Sequence, residues 1–293
     1  MDAVTPPDAA AWPAPAKLNR MLRIVGRRAD GYHLLQTVFQ FLAYSDWLWF
    51  DVRADGVIER QGEVAGVSPD QDLIVRAARL LQRVAKTPLG ATIRIDKRVP
   101  MGSGLGGGSS DAATVLVALN AYWRTGLAVT ELAELGLQLG ADVPVFIHGH
   151  AAWAEGVGER LTPMTLEEPW FVVLIPACSI ATSAIFNEPE LTRNSSLLTI
   201  ADFVEGVGGN GNDCAAVVYR RYPQVAAAAA WLAQHGVARL TGTGAGVFAA
   251  FADAASAVRV LEQIPTDWSG FIARGCNHSP LHERLAQAQC GLI

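Results

Sequence analysis

The segment from Pro100 to Asp111, Pro-Met-Gly-Ser-Gly-Leu-Gly-Gly-Gly-Ser-Ser-Asp, holds five of the chain's 28 glycines. Glycine allows positive φ and lets a backbone approach a ligand closely. The pattern predicts a strand over 92–95 before this segment and a helix over 110–123 after it. Backbone N–H groups at a helix N-terminus attract anions. The segment therefore predicts a phosphate-binding loop, in which the hydroxyls of Ser109 and Ser110 cap the helix or contact a phosphate or Mg²⁺.

Other phosphate-binding patterns fit this loop less well. A Walker A loop is excluded because no Gly-Lys-Ser/Thr follows the glycines. Gly102, Gly104 and Gly107 satisfy the dinucleotide pattern G-x-G-x-x-G, but residues 206, 208 and 211 satisfy it as well. A dinucleotide site also needs a strand ending in an acidic residue about 20 positions on, where this chain predicts a helix. The His-Arg-Asp and Asp-Phe-Gly motifs of protein kinases are absent from the sequence.

The elements that position this loop alternate between strands and helices in both halves of the chain. Strands are predicted over 18–25, 36–42, 47–52, 170–175 and 247–251, and helices over 70–86, 130–139, 213–219, 223–235 and 255–263. A boundary is predicted near residues 155–158, after which the pattern restarts. This mixture predicts two layered domains of strands and helices.

Composition narrows the class of protein. Hydrophobic residues make up 51% of the 293 residues and charged residues 17%, which is enough to build a core. The net charge of −5 argues against nucleic acid as a partner. The longest apolar stretch, residues 170–181, is too short to span a membrane, since a spanning helix needs roughly 20 residues.

Four scattered cysteines fit a reducing cytoplasm. Residues 1–14, rich in Ala and Pro, predict a flexible tail.

The glycine loop matches the Pro-x-x-x-Gly-Leu-Gly-x-Gly/Ser-Ser-Ser/Ala pattern of the galactokinase, homoserine kinase, mevalonate kinase and phosphomevalonate kinase (GHMP) superfamily. In that superfamily the loop wraps the phosphates of ATP. Seven residues carry the match: Pro100, Gly104, Leu105, Gly106, Gly108, Ser109 and Ser110.

Further segments, in order, resemble one branch of this superfamily, whose members phosphorylate a cytidine diphosphate conjugate of methylerythritol. The resemblance runs in register from about residue 15 to about residue 285, so it depends on order and spacing rather than on any one motif. The segments that carry it are 15–19, 28–33, 72–77, 139–146, 154–159, 240–248 and 277–281.

The resemblance implies an α+β fold with two layered domains and an active site in the cleft between them. It implies an N-terminal ATP-binding kinase domain over 15–157 and a C-terminal substrate-side domain over 158–293. The implied activity is phosphorylation of the 2-hydroxyl of that conjugate by ATP with Mg²⁺, in the non-mevalonate (methylerythritol phosphate) pathway to isoprenoids. The implied partner is this small molecule.

Two residues would carry the chemistry. By resemblance, Asp142 is the general base that receives the hydroxyl proton, and Lys17 is its electrostatic partner. An ammonium can keep a neighbouring carboxylate ionised and offset charge on phosphoryl oxygens. Read alone, Asp142 would be a turn or capping residue and Lys17 a surface lysine.

The remaining site residues are also implied by resemblance. The ATP phosphates would meet Pro100, Met101, Gly102, Ser103, Gly104, Leu105, Gly106, Gly107, Gly108, Ser109 and Ser110, with Lys97 on the adenine side. The cytidine conjugate would meet Asn19, Tyr32, His33, Thr182, Phe186, Gly242 and Thr243. Tyr32 and Phe186 supply aromatic faces on which a flat base can stack, although core or turn packing explains them too.

Several points stay open. Asp72 replaces an asparagine common in the family, and a carboxylate cannot donate the amide's hydrogen bonds. Arg20 stands where relatives carry an apolar residue, so it points outward or changes the packing there. The sequence names no Mg²⁺ ligand, and a weakly held homodimer is one oligomeric state that it allows. Two other interpretations compete with this one. The 28–33 segment argues against another kinase of the superfamily. The presence of both Lys17 and Asp142 argues against a non-catalytic nucleotide sensor.

Overall fold

A computed structural model of the chain describes residues 6–62, 71–207, 209 and 211–291. The strands are β1 (Trp12–Arg27), β2 (His33–Arg53), β3 (Ile58–Gln61), β4 (Gly90–Asp96), β5 (Ala152–Glu155), β6 (Arg160–Pro163), β7 (Trp170–Ile175), β8 (Arg239–Leu240), β9 (Val247–Phe251) and β10 (Ser269–Cys276). The helices are α1 (Leu73–Ala85), α2 (Gly107–Tyr122), α3 (Val129–Leu139), α4 (Val143–His148), α5 (Thr182–Phe186), α6 (Ile200–Glu205), α7 (Ala215–Arg221), α8 (Pro223–Leu232), α9 (Ala254–Leu261) and α10 (Pro280–Gln289).

The strands form a mixed sheet in the order β3-β4-β2-β10-β7-β9-β8, with β1 and β5 also pairing with β2 and β6 pairing with β5. β3 and β4 run parallel, and the other strand pairs are antiparallel. Only two residue pairs, Gly275 with Leu42 and Cys276 with Phe41, join β10 to β2. The N-terminal and C-terminal parts of the sheet therefore meet along a short seam.

The N-terminal core lies between the sheet and α1, α2, α3 and α4. α1 follows the predicted amphipathic pattern, because Asp72 caps it and its buried residues recur at helical spacing. α2 is apolar on all sides, and each of its residues from 110 to 119 is buried. This central helix holds the glycine loop at its N-terminus against the core.

The C-terminal core packs α7, α8 and α9 against β7 and β9. β1 contributes to it as well, since Leu22 and Ile24 are buried among its residues. In the other direction α10 returns to the N-terminal half, where Leu281 is fully buried in the first core. The mixed helix and strand content agrees with the α+β prediction.

The predicted tail is too long at its C-terminal end. Residues 1–5 lie outside the described residues, but Trp12 and Ala14 are fully buried in β1. The Trp12 ring packs edge-on against Phe50 and Tyr122, and its indole N–H donates to the Tyr122 hydroxyl over 3.0 Å. These contacts to distant residues, which local composition does not reveal, make residues 12–14 part of the sheet. The division after residue 157 stays a prediction, because the β5–β6 hairpin spans it and α10 crosses back.

No helix among the described residues is both long and apolar enough to cross a membrane.

Candidate active site

A cavity of about 530 Å³ opens between the two halves of the fold. Its lining comes from β1, β2, the glycine loop, the start of α1, the start of α4, α5 and the β8–β9 loop. Nearly every predicted site residue lines it: Lys17, Asn19, Lys97, Pro100, Met101, Gly102, Ser103, Gly104, Leu105, Gly106, Gly107, Gly108, Ser109, Asp142, Thr182, Phe186, Gly242 and Thr243. Residues predicted from distant parts of the sequence are thus brought together.

The glycine loop takes a backbone path that needs its glycines. Gly102, Gly104 and Gly106 all have φ between 64° and 76°, a region that other residues rarely adopt. A Cβ on Gly104 would clash with the Thr241 carbonyl oxygen. α2 starts at Gly107, earlier than predicted, so the last glycines and both serines form its first turn. Its first N–H groups face the loop, as an anion site at a helix N-terminus requires.

The two serines of this turn differ. Ser109 lines the cavity. The Ser110 hydroxyl is enclosed without a hydrogen-bond partner, and its backbone N–H donates to the Gly106 carbonyl over 2.9 Å. The side chain of Ser110 therefore points into the core, and Ser109 is the hydroxyl that a ligand can reach.

Two glycine-rich loops, one from each half, are joined by backbone hydrogen bonds. The Ala245 N–H donates to the Gly102 carbonyl over 3.0 Å, and the Gly246 N–H donates to the Ser103 carbonyl over 2.9 Å. The Asn212 amide donates to the carbonyls of Leu240 and Gly242, over 3.0 and 2.8 Å. The two loops therefore form one hydrogen-bonded wall of the cavity.

Lys17 lies at the centre of the cavity with its side chain almost fully buried. Its ammonium contacts Asn19 Oδ1 at 2.6 Å, the Gly104 carbonyl oxygen at 3.1 Å and Asp142 Oδ2 at 3.2 Å. It also lies 5.3 Å from the centre of the Phe39 ring. A buried ammonium needs such oxygen partners to keep its charge.

Asp142 stands immediately before α4, but its side chain makes no capping hydrogen bond to that helix. Its carboxylate contacts Lys17 and is 36% exposed, so it faces the cavity. The capping interpretation that the sequence left open therefore does not apply. A half-exposed carboxylate beside a buried ammonium is suited to receive a proton from a bound hydroxyl.

Asn19 is held by three groups, which orients its amide. Its Nδ2 donates to Thr37 Oγ1 over 2.8 Å, its Oδ1 accepts from Lys17, and its backbone N–H donates to Thr241 Oγ1 over 3.1 Å. The Thr37 hydroxyl in turn donates a hydrogen bond to the Met21 carbonyl over 2.5 Å. This chain of hydrogen bonds positions the Lys17 ammonium from behind.

Lys97 lines the cavity, but its ammonium is already paired with the carboxylates of Asp46 and Asp111. Asp46 also accepts the backbone N–H of Val99 over 2.7 Å. Burial lowers the pKa of Lys97, but the charges of Asp111 and Asp46 outweigh it, so that pKa lies above its ordinary value. Burial raises the pKa of Asp111 well above its ordinary value, against the opposing effect of Lys97. Lys97 therefore links β2 to α2.

The far end of the cavity holds the residues predicted for the cytidine group. Thr182 Oγ1 and Thr243 Oγ1 lie 3.1 Å apart. The Phe186 ring stacks on His33, with 4.9 Å between ring centres and 26° between planes. Neither Tyr32, which is 62% exposed, nor His33, which is buried, is part of the lining, and it is His33 rather than Tyr32 that meets Phe186.

Among the described residues, no three His, Cys, Asp or Glu side chains come together in a way that could hold a metal ion. His150 and His278 meet with 4.8 Å between ring centres, and His282 contacts the Ile147 carbonyl.

Sequence reasoning missed several residues that organise the site. Thr37 and Asp46 act on it only through contacts distant in sequence, and no local signal marks them. Asn212, which follows the glycines of residues 206–211, and Arg193, which donates to His33, are further examples. Gly208 and Asn210, inside that glycine segment, lie outside the described residues.

The comparisons with known proteins agree with this geometry. A family model described as the GHMP kinases N-terminal domain matches residues 72–150, and the model described as GHMP kinases C terminal matches residues 197–270. The fold and the site therefore define a GHMP kinase, a small-molecule kinase.

The curated relatives give the particular family. The 4-diphosphocytidyl-2-C-methyl-D-erythritol kinase of Chromohalobacter salexigens is 57% identical over 277 residues, which cover 93% of each chain. The protein of the same name from Xanthomonas euvesicatoria pv. vesicatoria is 54% identical over 283 residues, which cover 96% of each chain. This chain belongs to the family of 4-diphosphocytidyl-2-C-methyl-D-erythritol kinases, which confirms the resemblance found in the sequence.

Solved structures show the same fold. A crystal structure of 4-(cytidine 5'-diphospho)-2C-methyl-D-erythritol kinase superposes with a TM-score of 0.78 and 31% identity, covering 90% of this chain and 98% of its own. The Methanococcus jannaschii mevalonate kinase superposes with a TM-score of 0.70 over 93% of this chain and all of its own. Its identity of 14% supports the fold alone. The predicted α+β, two-domain kinase architecture is confirmed.

Proposed function

We propose that this chain transfers the terminal phosphoryl group of ATP to the 2-hydroxyl of 4-diphosphocytidyl-2-C-methyl-D-erythritol. The reaction belongs to the methylerythritol phosphate pathway to isoprenoids. The observation that carries this proposal is the 3.2 Å pair of Lys17 and Asp142 in a cavity that is also lined by the glycine loop and by Phe186. Membership in the kinase family supports the same substrate.

ATP is the co-substrate that we assign to the glycine loop. The first N–H groups of α2 and the positive end of the helix dipole favour its phosphates there. The cavity walls beside the loop, formed by Asp72, Leu73 and the side chain of Lys97, are the proposed surroundings of the adenine. Because the ammonium of Lys97 is paired with Asp46 and Asp111, we expect the methylene groups of Lys97 rather than its charge to face the adenine.

Phosphoryl transfer then follows from positioning and charge. Asp142 accepts the proton of the 2-hydroxyl as that oxygen forms its bond to phosphorus. The bond from phosphorus to the bridging oxygen breaks, and ADP leaves with the electron pair. Lys17 holds Asp142 in place and offsets the negative charge on the transferred group.

The donor set in the cavity fits Mg²⁺. This ion prefers oxygen ligands and is usually held by one or two protein groups together with substrate phosphates and water. Ser109, the reachable hydroxyl of the loop, would hold it from the protein side. Bound there, the ion neutralises phosphate charge.

The cytidine group is assigned to the far end of the cavity, where the flat ring of Phe186 and the hydroxyls of Thr182 and Thr243 meet. Asn19, Gly242 and the segment with Tyr32 and His33 complete this side. All of these residues come from one chain, so the proposed site needs no second subunit. The four unpaired cysteines and the net charge of −5 support a cytoplasmic enzyme with a small-molecule substrate.

The test is ADP release by the purified protein with Mg²⁺-ATP and 4-diphosphocytidyl-2-C-methyl-D-erythritol, with mevalonate and homoserine as parallel substrates. Turnover with the cytidine conjugate alone is the expected result. Turnover with mevalonate or homoserine instead would assign the chain to another kinase activity. ATP binding without turnover of any substrate would make it a non-catalytic nucleotide-binding protein.

A further inference from the structure

Thr37 is a buried threonine of β2 that lies beside Asn19 in the wall of the cavity. It faces the part of β1 where the pairing of β1 with β2 shifts register, between Asn19 and Met21. Its Oγ1 lies 2.8 Å from Asn19 Nδ2 and 2.5 Å from the Met21 carbonyl oxygen. Thr37 is only 1% exposed, so both hydrogen bonds are shielded from water.

The hydroxyl of Thr37 carries one hydrogen, and its two neighbours decide where that hydrogen points. A carbonyl oxygen can only accept, so the hydrogen is directed at Met21. Towards Asn19 the hydroxyl oxygen then offers only a lone pair, which requires the amide nitrogen of Asn19 on that side. The amide oxygen of Asn19 is therefore on the other side, 2.6 Å from the Lys17 ammonium, which has only donors. Donation along these groups runs in two directions that meet without conflict at Asn19.

Loss of the Thr37 oxygen would release this arrangement. The buried side-chain N–H of Asn19 would have no acceptor, and a buried donor without a partner is costly. Asn19 also lines the cavity, so its side chain can turn towards the water there and recover a hydrogen bond. Its Oδ1 would then leave the Lys17 ammonium, which would keep only the Gly104 carbonyl and Asp142 as oxygen partners. An ammonium with fewer anchors is placed less accurately for phosphoryl transfer.

We propose that Thr37 is a positioning residue for phosphoryl transfer, because it holds Asn19 and through Asn19 holds the Lys17 ammonium. Thr37 acts on the turnover step and not on ATP binding, since the glycine loop and the start of α2 bind the phosphates through their own N–H groups. The inference rests on the proposed function, in which the Lys17 ammonium offsets charge on the transferred group.

The first experiment measures kcat and the KM for ATP in Thr37→Val and Thr37→Ser. Valine keeps the shape of threonine but has no oxygen to accept from Asn19, so kcat should fall by about 10-fold or more. Serine keeps the hydroxyl and should keep most of kcat. The KM for ATP should stay unchanged in both variants. An unchanged kcat in Thr37→Val, or the same loss in both variants, would overturn the proposal.

The matched control is Thr114→Val. Thr114 is another fully buried threonine whose hydroxyl donates to a carbonyl of β1, that of Pro13, over 3.2 Å, but it does not line the cavity. Both valine variants take a hydroxyl away from a backbone carbonyl, so urea unfolding should show similar losses of stability. Only Thr37→Val should lower kcat. An equal fall in kcat in the two variants would mean that Thr37 serves stability alone, and the proposal would be wrong.

A double-mutant cycle with Asn19→Ala tests whether Thr37 acts through Asn19. Once the amide is gone, Thr37 has nothing to hold, so Thr37→Val should cause no further fall in kcat in the Asn19→Ala enzyme. If Thr37→Val lowers kcat by the same factor with and without Asn19, Thr37 acts on the reaction by another route and the proposal fails.

A readout that needs no turnover is the exchange of the Asn19 side-chain amide protons with water, followed by NMR in the ligand-free, full-length protein. This exchange should be faster in Thr37→Val than in the unmodified protein by about 10-fold, because the acceptor is lost. Unchanged exchange would overturn the proposal, whatever substrate the enzyme uses. If the unmodified enzyme does not phosphorylate the cytidine conjugate, the proposed function fails, and the exchange measurement alone decides whether Thr37 holds Asn19.

Discussion

Lys17 is a buried ammonium surrounded by a carboxylate, an amide oxygen and a backbone carbonyl from three different elements. No local sequence motif predicts that Lys17 is a charged residue inside the core. The types and spacing of residues 15–19 allow a strand, and the side-chain alternation of a strand puts Lys17 and Asn19 on one face. The structure adds that Asn19 orients the ammonium. At this scale the site is a small polar network inside an apolar core, and such networks are costly to leave incomplete.

Phe186 should act on the cytidine substrate and not on ATP. Replacing it with Leu keeps apolar volume but removes the flat face, and base stacking is worth about 1–3 kcal/mol. We expect KM for the cytidine conjugate to rise by about 10- to 100-fold, which corresponds to that energy, with KM for ATP nearly unchanged. Steady-state kinetics with each substrate varied in turn measure both values. Equal effects on the two substrates would place Phe186 in the core instead.

The family resemblance, rather than residue identity alone, predicted the pairing of Lys17 with Asp142 and most of the cavity lining, because these residues lie in motifs with a fixed order. It did not predict what Lys97 touches, since Asp46 lies 51 positions away in the chain. It also left Arg20 open. The structure packs the half-buried Arg20 on the Phe171 ring and gives it the Gln40 side chain as acceptor, while desolvation followed by Arg239 lowers its pKa to about 10. Long-range pairing of this kind leaves no local pattern.

The departure at Asp72 also has a structural explanation. Its Oδ1 accepts the Ile74 N–H over 2.9 Å and caps α1, and its Oδ2 pairs with Arg60. An asparagine would cap the helix as well but would not pair with an arginine. The carboxylate is thus accounted for by the helix start and by β3.

Elements with a strong period were predicted close to their bounds. β9 matches the predicted 247–251, and α1 lies inside the predicted 70–86, of which Asp70 is outside the described residues. By contrast β2 is one strand of 21 residues where two were predicted. In the gap between the two predicted strands, Ser45 and Asp46 are buried and pair with β1. Tertiary pairing overrides the local pattern there.

Gly104→Ala should separate the two glycine loops. Gly104 has φ of 76°, and a side chain on it would run into the Thr241 carbonyl oxygen. Gly126 is the matched control, because its φ is 75° and a Cβ added there would meet nothing within 4 Å. We expect Gly126→Ala to cost about 1–2 kcal/mol of backbone strain with no change in ATP affinity.

Gly104→Ala should cost more free energy of unfolding than this control, and it should also weaken ATP binding. Urea unfolding and fluorescence titration with ATP measure the two quantities. Equal losses of stability in the two variants, with ATP affinity intact in both, would show that the loops do not depend on each other.

Contacts between the N-terminal and C-terminal halves of the chain hold the two sides of the cavity together. β1 supplies residues to both cores, the two glycine loops bond to each other, and α10 packs on the N-terminal core. The sequence predicted two domains divided near residue 157, but chain order does not decide which core an element joins. A site built between halves joined in this way keeps its donors and acceptors in fixed positions, as phosphoryl transfer requires.

Leu281→Ala tests the contact of α10 with the N-terminal core. Leu281 is fully buried there, so the cavity left by the change should lower the free energy of unfolding by about 2–5 kcal/mol. The control is Leu197→Ala, because Leu197 is 71% exposed and its loss should change stability little. Thermal and urea unfolding of both variants decide the matter. Equal stability of the two would mean that α10 is not needed by that core.

The proposed reaction depends most on Asp142, so the measurement to make is the turnover of Asp142→Asn with Mg²⁺-ATP and the cytidine conjugate, compared with Asp51→Asn. Asp51 is an exposed carboxylate on β2 outside the cavity. An asparagine keeps the shape of Asp142 but cannot accept the hydroxyl proton, so kcat should fall by about 10²- to 10⁴-fold while ATP binding is kept. The control should turn over like the unmodified enzyme. An Asp142→Asn enzyme with unchanged kcat would contradict the account, because the base would then have to lie elsewhere.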